Sequence, residues 1–564
     1  MNVIWILLVL LLGLFSIQFM KLRQAAALLP PGPTPLPIVG NLFAIKFQFH
    51  HRTLMKLSEI YGNIMTIWVG QSPTIVVTGY ETVKQCLIDN SEQVSNRPTT
   101  PYFKLYAEER GIIFSNGENW KVQRRLGLKI LRNLGLGKKV LEGRIKVEAH
   151  QMVEVFLSQK GSAIDPSRCI MNAVGNVMSA VNFGHTYSLK NEDFHRLIDS
   201  TNVVVDFAGT LCGQLYDTFP WLMHRLPGPQ QAMYKHLHFL KQCMLEEIRQ
   251  HQQNPSPEPQ DVVDYYLEEI SKAKNDPSSK INEESLIIVL MDLVLAGFET
   301  VTSTIQWALL YMAVHKDVQV KAQKEIDAFV QSIENLKYED RLNMPYTNAV
   351  IHEIQRFTSV GPVSLPRQCS QDFTLLGYLI RKGTTIVPNL ASVLTAPKHW
   401  KFPDTFNPSN FLDEEGNFQG NKAFIPFSAG PGAVKNLAAE NITTTSFTLN
   451  WQSPEGNVSG YLIQISGNVN VTGNTTYTTY TPGSLSPGKA YKVVVSAVVG
   501  DSTIQGEGSQ IVVQTNANSL FITLKYSSSD DNSEVVVINE LNRIINQKFS
   551  GRNVTVALKQ IKKV

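Results

Sequence analysis

The chain of 564 residues has only five cysteines, at positions 86, 169, 212, 243 and 369. No two form a CxxC pair and none follows residue 369, which excludes a cysteine zinc site and a disulfide framework. The net charge is only +3, too small to argue for a nucleic-acid partner. No basic residue precedes the first apolar run, and no N-x-S/T sequon occurs before residue 440. A hydrophobic share of 43% with 18% charged residues excludes a disordered polymer. The length predicts two to four domains.

Residues 3–20, VIWILLVLLLGLFSIQFM, are uncharged, and Lys21 and Arg23 follow them. A run of that length can cross a bilayer as a helix, and the basic residues after it keep the downstream chain on the cytosolic side. The alternative is a cleaved signal peptide ending at the alanines 25–27. PPGPTPLP (30–37) then reads as a stiff spacer between membrane and domain.

From about 50 to 400 the apolar spacing predicts helices, among them 51–62, 231–251 and 318–334. Short β-branched runs at 64–70 and 73–79 predict strands of a small sheet. Residues 286–314 are apolar almost all round, which predicts a helix buried at the centre of a large domain; the rival is a second membrane span, against which Asp292, Glu299 and Gln306 count. After about 431 the helical period stops. Alternating runs at 446–451, 460–466, 476–483, 490–500 and 509–515 predict an all-β sandwich.

Four local signals carry chemistry. In AGFET (296–300), Glu299 and Thr300 place a carboxylate beside a hydroxyl, able to relay protons to reduced oxygen; alternatively Thr300 bonds back to a carbonyl one turn earlier. In HEIQRF (352–357), Glu353 and Arg356 form an i, i+3 pair, weak if exposed and a core fixture if buried. In ENWKVQRRL (118–126), Trp120 and Arg124 share a helix face and could hold an anionic group, or else pack as a half-buried Trp beside a solvated Arg. FNPSNF (406–411) precedes FIPFSAG (424–430).

Taken in order with the anchor and the proline segment, these signals resemble a microsomal cytochrome P450 haem-thiolate monooxygenase of the vertebrate drug- and fatty-acid-metabolising group, over residues 1–430. The resemblance implies a mostly α fold with a small β-region and a haem cofactor. Glu299 and Thr300 would serve oxygen activation, and Glu353 and Arg356 the structural ExxR pair. Arg97, Trp120, Arg124 and Arg367 would hold the haem propionates. It further implies a small lipophilic substrate, an endoplasmic-reticulum membrane location with a cytosolic head, and an electron-donor flavoprotein reductase. That partner would be received near Lys121, Arg125, Lys129 and Arg132, which equally fit a solvated basic face.

The pattern then breaks. The family loop F-x-x-G-x-R-x-C-x-G begins at Phe427 and Gly430, but its arginine, cysteine and second glycine fall on Gly432, Val434 and Asn436. The helix and β-segments that follow the cysteine in the family are absent, so the fold is expected to be incomplete at its C-terminal end. Asn410 stands where the family carries Arg or His. Valine cannot ligate iron, and the expectation is a catalytically inactive head with no metal ligand.

Residues 433–515 resemble a fibronectin type III domain, with Trp451 as its core tryptophan and Leu485, Pro487 and Tyr491 as its tyrosine corner. The expected division is an anchor (1–22), a truncated P450-like domain (28–430), a fibronectin type III domain (431–515) and an unassigned tail (516–564) that resembles the start of a SEA-type module, with a helix at 537–549. Sequons at Asn441, Asn457, Asn470, Asn474 and Asn553 suit an extracellular origin for this region. Two rivals to the enzyme remain open: a non-enzymatic membrane-bound adhesion or interaction protein, and an artefactual gene fusion at Gly430 and Pro431.

Overall fold

The computed structural model describes residues 3–46, 49–134, 139–188, 190–276, 278–329, 336–429, 434–454, 458, 460–499, 504–526, 543 and 554–563. They form two compact units, Met1–Ser428 and Ala429–Val564.

The first unit is built of helices around the long helix Glu283–Val314. Asn282 starts it, its side chain accepting from the Ser285 amide, with Glu283 and Glu284 on the positive end of the dipole. Its first half is buried, from Leu286 through Val294 to Phe298 and Thr302. It packs on Ser167–Asn182, Glu192–Gly209 and Pro229–Gln253, and their apolar faces close one core containing Phe194, Leu240, Met244 and Phe298. The second half departs from the expectation of burial at the centre. Val301, Trp307, Leu310 and Val314 are 42–66% exposed, because no described element of this unit lies over that face. Apolar composition all round gives no indication of where the partners stop.

A small sheet stands beside the helices. Its strands are β1 (Ile64–Val69), β2 (Ser72–Thr78), β3 (Arg367–Gln368) and β6 (Thr385–Asn389), while β4 (Phe373–Leu375) and β5 (Tyr378–Ile380) form a hairpin. The order is β1-β2-β6-β3. β1 and β2 are antiparallel, with Ile64 opposite Val77, and β2 and β6 are parallel, with Ile75 opposite Ile386. The proline segment, expected as a stiff spacer, is fastened to this sheet. The Thr66 amide and hydroxyl donate to the carbonyls of Pro31 (2.9 Å) and Pro30 (2.7 Å). Asn41 Nδ2 donates to the Pro33 and Thr34 carbonyls, both at 3.1 Å. A Cβ on Gly32 would meet the Thr66 carbonyl oxygen at 2.0 Å, so only glycine lets the backbones approach this closely.

The second unit is all β: β7 (Lys435–Glu440), β8 (Thr448–Gln452), β9 (Gly460–Ser466), β10 (Val471–Thr475), β11 (Thr479–Tyr480), β12 (Ala490–Val499) and β13 (Ile504–Gln514). The sheets run β10-β9-β12-β13 and β11-β8-β7. Between them lie Phe447, Trp451, Tyr461, Ile463, Tyr491, Val493 and Val495. The Tyr491 hydroxyl accepts from the Ser486 amide at 2.8 Å, which closes the corner. β7 and β10 were absent from the strands expected from sequence, and the strand expected at 476–483 shrinks to the two residues of β11. Beyond the sandwich, β14 (Asn518–Tyr526) runs parallel to β15 (Val554–Lys563). The helix expected at 537–549 lies outside the described residues except at Arg543.

Among the described residues, two helices are long and apolar enough to cross a membrane, by length and composition alone: one within Val3–Ala26, the other Glu283–Val314, more than half buried in its own unit.

Candidate cofactor site

Arg97, Arg124 and Arg367 come from three separate segments of the first unit and are brought together. Burial first, then the neighbouring Arg367 and Arg124, together hold Arg97 down at about 9. Burial also lowers Arg367 and Arg124. The neighbouring guanidiniums act on one another as like charges, since Arg124 lowers both Arg97 and Arg367. Arg97 Nε donates to the Ile113 carbonyl (3.2 Å) and Nη1 to the carbonyls of Leu365 (3.3 Å) and Pro366 (3.1 Å). Arg367 Nε is buried with no partner. Arg124 lies over the Trp120 ring, 5.7 Å from its centroid. A cluster of cations with an orphaned buried donor fits an anionic ligand edge such as a pair of propionates.

Asp292, noted in the sequence only as an acid that counts against a membrane span, holds the segment that carries the Ile113 carbonyl to Arg97. Its Oδ2 accepts from the Ile112 (2.6 Å) and Ile113 (3.0 Å) amides and its Oδ1 from the Tyr106 hydroxyl (3.3 Å). Burial pushes it up to about 7 against the pull of these three donors. Asn116 clamps Arg97 on both backbone atoms, accepting from its amide and donating to its carbonyl. An acid inside an apolar helical run was the available signal.

Two turns beyond Asp292 on the long helix, Glu299 is half-buried and Thr300 exposed. The Thr300 hydroxyl donates to the Ala296 carbonyl (2.7 Å), one turn back. Glu299 Oε1 accepts from the Ser303 hydroxyl (2.8 Å).

Glu353 and Arg356 lie on the helix Pro345–Thr358 and are fully buried. Nε to Oε2 and Nη2 to Oε1 are both 2.7 Å, a bidentate pair. Arg356 also donates to the carbonyls of Leu394, Pro403, Phe402 and Thr405. Asn410 spans the same knot: its Nδ2 donates to both Glu353 oxygens and to the Phe402 carbonyl, and its Oδ1 accepts from the Phe402 amide. Burial raises the Glu353 carboxyl while Arg356 draws it back down. The pair ties the helix to the loops at 394–410, far from the arginine cluster in role.

No cysteine follows Cys369 in the chain. Phe427 is 75% exposed, Ser428 adopts a left-handed φ of 73°, and residues 430–433 lie outside the described set. Val434 is buried in the core of the β unit with Leu449 and Trp451, where its carbonyl accepts from the Ser509 hydroxyl. Cys86 and Cys369 are buried thiols that burial pushes up to about 12, so both are protonated at neutral pH. The residues fit a tetrapyrrole's carboxylates and do not fit its iron.

Among the described residues one group, His251, Asp261 and Asp264, lies close enough to share a cation. Protons account for it. His251 Nδ1 meets the Glu247 carbonyl (2.8 Å) and Nε2 meets Asp261 Oδ2 (3.0 Å). Both partners only accept, so both ring nitrogens carry hydrogen and the ring is cationic. The bond to Asp261 raises His251 to about 9. Asp261 Oδ1 caps the helix Val262–Ala273 through the Asp264 amide.

Residues 30–433 match the cytochrome P450 family and residues 432–514 the fibronectin type III domain. The chain is 39% identical over 421 residues to cytochrome P450 2J2 of Homo sapiens, covering 74% of this chain and 84% of that protein. It is 39% identical over 426 residues to cytochrome P450 2C21 of Canis lupus familiaris, 75% of this chain and 88% of the relative. Cytochrome P450 2A5 of Mus musculus is 37% identical over 411 residues, 73% and 83% of the two chains. With its helical unit, its buried ExxR knot and a sandwich following it, the chain belongs to the cytochrome P450 family and carries a fibronectin type III domain behind the P450 region.

Proposed function

We propose that the head is a P450 monooxygenase scaffold that has lost its chemistry. The observation that carries this is Val434: at the register of the ligand cysteine stands an apolar residue built into another domain's core. Haem, when bound by a thiolate, supplies oxygen activation, and this chain has no thiolate to offer it. In this reading Arg97, Trp120, Arg124 and Arg367 are the remains of the propionate site. Glu299 and Thr300 are the remains of the proton relay, its hydroxyl now satisfied by Ala296. Glu353 and Arg356 keep a structural role.

A cavity of about 1270 Å³, lined by Ile38, Phe49, Val69, Phe103, Phe219 and Val363 among others, supports a small lipophilic substrate for the ancestral enzyme. The reductase surface has less support. Lys129 is paired with Glu269 at 3.0 Å, Arg125 is exposed, and the Arg132 side chain lies outside the described residues. The helix Val3–Ala26 followed by Lys21 and Arg23 within its last turns supports an endoplasmic-reticulum anchor with a cytosolic head.

Reduced protein exposed to carbon monoxide is expected to lack the Soret band of thiolate-ligated haem; a full-strength band overturns the reading. A second reading rests on the join itself. Two unrelated family matches meet within residues 432–433, as expected of two genes or transcripts spliced into one. Sequencing a transcript across codons 430 and 431 tests it, and an unbroken transcript removes it. That outcome would leave a non-enzymatic interaction protein as the working description.

A further inference from the structure

We propose that the large cavity of the first unit selects lipophilic amines, and that Asp217 is the residue that selects them. The inference rests on the reading above, in which this cavity takes a small lipophilic ligand, and names the charge that ligand carries. Such binding needs no iron.

Among the described residues that line the cavity, Asp217 is the sole carboxylate and Lys382 the sole lysine or arginine. Their surroundings differ. Lys382 is exposed in the turn before β6, where water screens its charge. Asp217 is partly buried and stands in the last turn of the helix Leu211–Thr218, at the negative end of its dipole. Its Oδ1 accepts from the Tyr102 amide at 2.8 Å, and the carboxylate also accepts from the Thr100 hydroxyl. That hydroxyl is fixed, because its oxygen accepts from the Phe103 amide (3.3 Å) and its hydrogen goes to Asp217. Both donors are neutral, and among the described residues no cation acts on the carboxyl. Burial raises it, and these two bonds pull it back. A carboxylate taken from water with neutral donors alone has part of its solvation unreplaced. An ammonium beside it supplies the rest.

The walls suit the remainder of such a ligand. Phe103 and Phe219, three residues after Thr100 and two after Asp217, line the same cavity, and aromatic side chains tolerate an ammonium where aliphatic ones do not. Val69, Val363 and Ile38 extend the apolar surface for a hydrocarbon body. At about 1270 Å³ the space holds a drug-sized molecule. An anionic ligand would meet Asp217 and the helix end as like charges.

The full chain, reconstituted in phosphatidylcholine nanodiscs, is dialysed to equilibrium at neutral pH against 4-phenylbutylamine, 4-phenylbutan-1-ol and 4-phenylbutyrate. Empty nanodiscs serve as the blank for lipid partitioning. The amine is expected to bind at least about tenfold more tightly than the alcohol, and the carboxylate to bind most weakly, since only the amine forms a charge-assisted bond with Asp217. Asp217→Asn keeps an acceptor for the Tyr102 amide and removes the charge. It should weaken the amine about tenfold and leave the alcohol unchanged. If that variant loses its circular dichroism, the three ligands on the unaltered chain still decide. An alcohol that binds as tightly as the amine, or an amine that binds Asp217→Asn undiminished, overturns the inference and leaves a lipophilic cavity. No binding of any of the three removes the lipophilic-ligand reading as well.

Discussion

His251 holds a proton because both ring nitrogens face acceptors, and the proton ties the end of one helix to the cap of the next. Its folded value of about 9 stands above the ordinary 6.5. The stabilisation is therefore complete below about pH 6.5 and is lost as pH rises through about 9. At neutral pH it is worth on the order of 1–2 kcal/mol. His251→Gln is expected to lower the unfolding midpoint at pH 6.5 and to change it little at pH 10; equal losses at both pH values would contradict the charge assignment. This pairing was not legible in the sequence, since ten residues of loop and helix decide that His251 meets Asp261. The ExxR pair was legible, because three residues on a helix fix two side chains on one face. Its four carbonyl acceptors were not, because no residue type announces where a loop points its backbone. The arginines were legible only through family resemblance, and Asp292 was read only as a bar to membrane insertion, since its amide partners at 112 and 113 lie far away in the chain.

At the scale of the element, the long helix shows what composition conceals. Its apolar residues continue to Val314 although burial among the described residues thins out after Thr302. Periodicity reports which side of a helix is apolar; a helix apolar all round leaves the choice to its neighbours. Trp307, Leu310 and Val314 lie at i, i+3 and i+7 and are exposed together, a contiguous apolar stripe of the kind that drives association. The double variant Leu310→Lys, Val314→Lys is expected to raise the soluble, monomeric fraction at size exclusion. It should leave stability within about 0.5 kcal/mol, as for surface positions generally. A large loss of stability would mean that the stripe is covered. The edge strand β10 was missed for a different reason: Val-Thr-Gly-Asn-Thr carries weak strand preference, and its pairing with β9 decides its state.

At the scale of the whole molecule, the two units differ in completeness. The sandwich has a closed core around Trp451 and Tyr491, whereas the head exposes the apolar face of its longest helix from Val301 to Val314. Residues 431–516 expressed alone are expected to melt cooperatively and residues 28–430 are not; a sharp melt from the head piece would refute this. The chain also carries opposed addresses. Asn441, Asn470 and Asn474 are exposed sequon residues, yet the basic residues at the end of the first helix favour a cytosolic tail. Expressed in mammalian cells, the chain should show no mobility change on treatment with a glycan-removing enzyme. A shift abolished by replacing those asparagines would place the tail in the lumen.

The burial of Val434 decides what a cysteine at that position could do. A single codon change to cysteine would deliver its thiol into the dry interior of the sandwich, where burial keeps it protonated. The variant Val434→Cys should cost the sandwich about 1 kcal/mol of packing and yield no thiolate-type Soret band. On the reading proposed above, no point mutation at this position supplies an iron ligand, because residue 434 belongs to the core of the sandwich.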